Sequence, residues 1–294
     1  MKKLNLSSCT TIALLLLAAS CSDEQLTPSV VEGTPLTITA EIGTTASPAT
    51  RVAVASNSYD RSQFIAADQI NVVCSRSGVQ LASSGYTLNS SATAWTVVPG
   101  SNGLGFLPAT VCRASFPVAY DAILADQQAA DGSSFLKSNY LLTPEVSVTG
   151  AEVSFTGTGA FKHEHAKLTL KFQGSGGVAL PAFTRVTMQA PGLRTGASGT
   201  ESIIPFRPDT GEYTWCAVVY PKSQHAPGIT ITVVDENSVT YKATILCDLT
   251  KATSYTYTLQ LRNDILVPVG SAEIEDWTLE VRQSGAFDSE EKSN

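Results

Sequence analysis

The sequence predicts an all-β protein built as two β-sandwich domains. Three observations carry this. The composition is rich in Thr, Ser and Val, with 21 Gly and only 2 Met, which suits short strands and turns better than helices. Apolar residues recur with period two in many short stretches separated by turn residues, the pattern of half-buried strands. The chain has 294 residues, and roughly 270 remain once its leader is set aside, enough for two domains of ordinary size.

The elements follow in order. Met1-Lys2-Lys3 is basic, Ile12 to Ala19 is an unbroken apolar run, and Ala18-Ala19-Ser20 leads to Cys21. A basic start, a short apolar run and small residues before a cysteine are what a lipoprotein signal peptidase reads. Residues 1–20 are therefore expected to be a signal peptide. The Cys21 thiol is expected to carry a diacylglycerol with acyl chains such as palmitate, and two or three chains anchor stably. Residues 21–33 read as a polar, lipidated tether.

The first strand runs from Thr34 to Ile42, with Leu36, Ile38, Ala40 and Ile42 on one face and Thr37, Thr39 and Glu41 on the other. A loop of Thr, Ser, Ala and Pro follows, ending in Ala49-Thr50-Arg51-Val52. Ile70, Val72 and Cys74 share one strand face, and Cys112, Ala114 and Phe116 another. Asp121 to Ala130 supports one short helical turn. A break near Gly157-Thr158-Gly159 divides an N-terminal domain, 34–158, from a C-terminal domain, 159–294.

In the second half Ala166, Leu168, Leu170 and Phe172 alternate with Lys167, Thr169 and Lys171. Ile229, Ile231 and Val233 lead through Asp235-Glu236-Asn237-Ser238 into Val239, Tyr241, Ala243 and Ile245, a hairpin by its spacing. Tyr255, Tyr257, Leu259 and Leu261 form a further alternating face.

Charge and chemistry exclude more than they assign. The net charge is −7 and the only Lys cluster is Lys2-Lys3, so no nucleic-acid partner is expected. With Cys9 in the leader and Cys21 lipidated, Cys74, Cys112, Cys216 and Cys247 remain in an oxidising compartment. Pairs such as Cys74–Cys112 and Cys216–Cys247, or four buried thiols, both satisfy the sequence. Gly196-Ala197-Ser198-Gly199-Thr200 lacks the last glycine of a nucleophile elbow, and Gly100 to Gly105 has no lysine or helix after it. His163 and His165, two apart, share a strand face with Lys167 and Thr169, which reads as exposed histidines rather than a metal site. Asp264, Glu273, Glu275 and Asp276 read as a solvated acidic edge. Trp95, Trp215 and Trp277 raise the idea of a sugar platform, but Trp215 alternates with Ala217 and Val219 and belongs to a core. No catalytic residue, cofactor or metal is expected.

Several stretches together resemble the fimbrillin family, the Mfa-like and major-fimbrium-like lipoprotein pilus subunits of Gram-negative anaerobes. They are Cys21-Ser22-Asp23-Glu24, Thr50-Arg51-Val52, Phe161-Lys162-His163-Glu164-His165-Ala166-Lys167-Leu168, Val219-Tyr220-Pro221, and Tyr255-Thr256-Tyr257-Thr258-Leu259 leading to Ile274-Glu275-Asp276-Trp277. The resemblance implies two transthyretin-like sandwiches, no enzyme activity, and surface exposure on the outer membrane until incorporation into a fimbrium. It also implies that a trypsin-like surface protease cuts after Arg51 and removes the strand Leu36 to Ile42. The vacated groove then takes a strand from another fimbrillin-like subunit, which is β-strand addition. Leu279 and Val281 would be the donor row, and that row is short, which leaves stalk, tip and anchor roles open. Host glycans or proteins are the implied adhesion targets. The alternative is a glycan-binding surface lipoprotein of a nutrient-uptake system, which requires exposed aromatic platforms.

Overall fold

The computed structural model describes residues 33–43, 59–208, 213–222 and 228–277. Cys21, Arg51, Leu279 and Val281 lie outside the described residues, and with them the lipidation, cleavage and donor-strand expectations. Nearly all regular structure is β, as the alternation predicts.

In the first half the elements are β1 (Thr37–Ala40), β2 (Gln69–Arg76), β3 (Val79–Leu88), β4 (Trp95–Val97) and β5 (Val111–Phe116). After them come α1 (Ser133–Ser138), β6 (Leu141–Leu142), β7 (Val146–Ser147), β8 (Glu152–Phe155) and β9 (Lys162–His163). One sheet runs β4-β3-β2-β5-β6-β9, with β7 also on β5, while β1 and β8 form a separate parallel pair. Cys74 faces Cys112 across β2 and β5, and the two are joined as a disulfide. Ile70, Val72, Tyr86, Cys112, Ala114 and Phe116 turn inward to a core shared with Val153, Phe155 and Phe161. The loop into β2 is pinned by a buried ion pair: Arg61 donates from Nε and a terminal nitrogen to Asp68 at 2.9–3.2 Å. Asp68 also accepts the Ile65 N–H at 2.8 Å, so the buried carboxylate is compensated on both oxygens.

The second half comprises β10 (Ala166–Gly174), β11 (Phe183–Pro191), β12 (Thr200–Ile203), β13 (Thr214–Val219), β14 (Ile229–Asp235), β15 (Thr240–Ile245), β16 (Thr253–Arg262) and β17 (Ile265–Asp276). They make two four-stranded sheets, β13-β10-β16-β17 and β12-β11-β14-β15. Ala166, Leu168, Leu170 and Phe172 are buried along β10 and Ile229, Ile231 and Val233 along β14, so the period-two reading holds there. The β14–β15 hairpin is closed by Asp235. Its Oδ1 accepts the Asn237 and Val239 N–H groups at 2.9 and 2.8 Å, and its Oδ2 accepts the Tyr241 hydroxyl at 2.9 Å. This is an Asx turn, the reason an aspartate opens the loop.

Two expectations are corrected. The helix lies at Ser133–Ser138, not within Asp121 to Ala130. The earlier stretch is extended and lies beside the second half: Asp126 bridges Ile204, the Gln127 N–H donates to Ile204 O, and the Ile204 N–H donates to Ala125 O. The Gln127 side chain, fully buried, donates to Val218 O at 2.9 Å and accepts the Val218 N–H at 2.8 Å. It thus serves as a backbone surrogate along β13. The helix itself starts where Asp131 Oδ1 accepts the Ser133 N–H at 2.9 Å. Gly132 has φ of 72°, and Tyr59 stands where a Cβ would project, so both conformation and space require glycine there.

The second correction concerns the histidines. His163 is fully buried and His165 is 7% exposed, not solvent-facing. Strand parity fails because β9 belongs to the first sheet and β10 to the second, with bends at Glu164 and His165 between them.

A candidate strand-exchange groove

The site is built around β1. Its Thr37 N–H donates to Ala151 O at 2.8 Å and the Glu41 N–H to Phe155 O at 3.1 Å, so odd residues face β8. Even residues point the other way: the Leu36 N–H donates to Leu104 O at 2.9 Å. The register sets Ile38 against Val153 and Ala40 against Phe155. Beyond Ala40 the chain continues along Phe161, whose N–H donates to Glu41 O at 3.0 Å and whose carbonyl accepts the Gly43 N–H at 2.8 Å.

Side chains add to the hold. Leu36, Ile38 and Ile42 are buried, while Ala40 is half-buried. Beside the strand, a cleft of about 370 Å³ is lined by Ile38, Ala40, Ile42, Phe64, Leu88 and Trp95 among others. Phe64 sits edge-on to Trp95, Phe116 and Phe161 with ring centroids 5.0–5.5 Å apart, giving an aromatic floor under the apolar row of β1. The partner strand β8 was not anticipated. Its signal was present in Val153 and Phe155, which alternate with Glu152 and Ser154 between Gly150 and Gly157.

A second buried cluster lies where the two halves meet. Lys167 Nζ donates to Asp60 Oδ2 at 2.8 Å, and Trp277 Nε1 donates to Asp60 Oδ1 at 2.9 Å. The His163 ring stacks on Trp277 with centroids 4.1 Å apart and planes 8° from parallel, and its Nδ1 lies 2.8 Å from Asn139 Oδ1. His165 Nε2 lies 2.7 Å from the Tyr120 hydroxyl. Burial raises the Asp60 carboxyl, but Lys167 and the indole N–H outweigh it and hold the group below the usual carboxylate range. Burial pushes His163 down to about 4, against the pull of Asp60, and burial alone takes His165 to about 4. Both rings are neutral at neutral pH.

Cys216 and Cys247 are free thiols. Burial pushes them up to about 12 and about 11, so neither is a reactive nucleophile. Among the described residues, no group of three or more His, Cys, Asp or Glu is placed to hold a metal. Asp264 and Glu273 are exposed, and Glu275 and Asp276 half-buried. Trp215 and Trp277 are buried and Trp95 is half-buried. Among the described residues, no helix is long and apolar enough to cross a membrane.

Comparison with solved structures identifies the same fold in proteins of Bacteroides species. A candidate cell-adhesion protein from Bacteroides ovatus superposes with a TM-score of 0.62 at 18% identity, covering 85% of this chain and 99% of that one. Another from Bacteroides uniformis gives 0.59 at 14% identity, covering 83% and 98%. No curated protein matches the chain in sequence. The fimbrillin-like family model matches residues 105–277, which span β5, the Gln127 and His163 region, and every strand to Trp277. The chain therefore belongs to the fimbrillin-like family, structural, non-enzymatic proteins of adhesive surface pili.

Proposed function

We propose that this chain is a lipoprotein precursor of a pilus subunit, anchored to the outer membrane through Cys21 and matured by cleavage after Arg51. Maturation frees β1, and the groove it leaves takes a strand from another fimbrillin-like subunit. The observation that carries this reading is that β1 stands outside the first sheet. The order β4-β3-β2-β5-β6-β9 runs without it, and a disulfide ties β2 to β5, so the sheet keeps its own ladder when β1 departs. The segment around β1 is held instead by a four-residue parallel pairing with β8, by backbone bonds between Leu36 and Leu104 and between Phe161 and both Glu41 and Gly43, and by the buried side chains of Leu36, Ile38 and Ile42, and parallel pairing is the weaker kind. An incoming strand with alternating apolar residues would restore both the backbone bonds and the filled pockets. Leu279 and Val281 in the tail provide the matching alternation.

The test is N-terminal sequencing and mass measurement of the protein recovered from the cell surface. A start at Val52 supports maturation, and Cys21→Ala should abolish fatty-acid incorporation and membrane retention. A surface-assembled form that still begins at a lipidated Cys21 contradicts the maturation step.

A further inference from the structure

Asp60 and Trp277 are 217 residues apart in sequence, yet one carboxylate grips both the indole N–H and Lys167. Asp60 follows shortly after residues 44–58, which contain Arg51, and Trp277 immediately precedes the tail that carries Leu279 and Val281. The cluster therefore joins the two chain positions that the maturation reading makes consequential. It is built as a fixed point. Trp277 is 3% exposed, with His163 stacked on its ring, the Phe135 ring 6.4 Å away at a steep angle, and Lys167 Nζ 5.9 Å from its centroid. Its backbone N–H donates to Ala252 O at 2.9 Å, and the Ala252 N–H donates to His165 O at 2.8 Å. The Asp60 and Lys167 side chains are 17% and 19% exposed. A pair so far removed from water adds little net stability over apolar packing but specifies one geometry, since either partner left alone is costly.

We propose that Asp60, His163, Lys167 and Trp277 form a positioning latch that ties the root of the C-terminal tail to the segment that follows residues 44–58 in the chain. The latch fixes Trp277, the residue from which the tail continues in sequence, and it keeps Trp277 in place when the chain is cut upstream. Asp60 lies on the retained side of Arg51, so cleavage leaves every member of the cluster in the mature subunit. The part of this inference that treats the tail as donor rests on the strand-exchange reading; the latch itself does not.

Hydrogen–deuterium exchange on the uncut monomer tests it, comparing peptides covering 59–66 and 270–277. Asp60→Ala should speed exchange in 270–277 roughly tenfold, the effect of losing one charge-assisted hydrogen bond. Trp277→Phe keeps the ring and loses the donor, and it should speed exchange in 59–66 by a similar factor, because coupling between two sites is reciprocal. Amides of β2 and β5 should stay protected in both. If Asp60→Ala fails to fold, Trp277→Phe alone reads the same coupling. An effect confined to the mutated side, with the distant peptide unchanged, overturns the latch. Failure of the cut wild-type protein to assemble counts against strand exchange instead, so the two failures are distinguishable.

Discussion

Ile38→Ala is the sharpest probe of the groove. Ile38 is 3% exposed, paired with Val153, and lines the cleft with Ile42, while Leu36 is buried just before it in the same core. Burying three such side chains is worth about 5–9 kcal/mol, an upper bound because the unfolded chain already hides some apolar area. Truncating Ile38 should remove about 2–4 kcal/mol of that, transfer and cavity costs together. In a chain cut at a unique protease site placed within residues 44–58, this weakens retention of the β1 fragment by roughly 30- to 1000-fold. The assay is gel filtration of the cut protein with mass spectrometry of each fraction, alongside displacement by a synthetic peptide copying residues 34–43. Ile231→Ala, buried in the other core, should lower overall stability by a comparable amount and leave fragment retention unchanged. Equal retention in wild type and Ile38→Ala would refute the claim that side-chain insertion holds β1.

Three further outcomes follow from the structure. Replacing both Cys74 and Cys112 with Ala releases a link spanning 38 residues and should cost about 4 kcal/mol by loop entropy, read as a lower melting temperature, whereas Cys216→Ala should shift it far less. His163 and His165 titrate near 4 when folded, against 6.5 when unfolded. The unfolded chain thus binds more protons between those values, so stability is complete above pH 6.5 and falls as pH drops toward 4. The loss is on the order of 3 kcal/mol per histidine, and His163→Gln should flatten the pH dependence of urea midpoints. Gln127→Ala leaves the Val218 N–H and carbonyl facing a buried void and should cost about 2–4 kcal/mol, measured by chemical denaturation.

Strands that stay in one sheet along their whole length were legible. Ala166 to Phe172, Ile229 to Val233 and Ile70 to Cys74 each put alternate residues inside because each runs straight across its sheet. Parity misled at His163 and His165, where the chain bends between sheets and partners distant in sequence close over the rings. Trp277 and Asn139 cover His163, and Tyr120 meets His165. The helix was displaced because Asp121 to Ala130 has helix-compatible residues, while its bonding partner, the Ile204 strand edge, is a tertiary feature. The Asp131-Gly132 pair before Ser133, an Asx turn followed by a left-handed glycine, was the local signal that marked the true start. At the site, the apolar face of β1 was readable from Leu36, Ile38 and Ile42. Its parallel partner was not, since nothing local in Glu152–Phe155 names the strand it pairs with. The Asp60–Trp277 contact has no local signature either.

The most direct measurement follows the protein after a single cut at Arg51. The chain, nicked there and incubated at high concentration, is examined by light scattering, electron microscopy and mass spectrometry of each species. Strand exchange predicts loss of residues 34–42 from the assembling species, growth of ladders or fibres, and no growth when Arg51→Ala blocks the cut. A nicked chain that keeps its first strand and remains a monomer would contradict it.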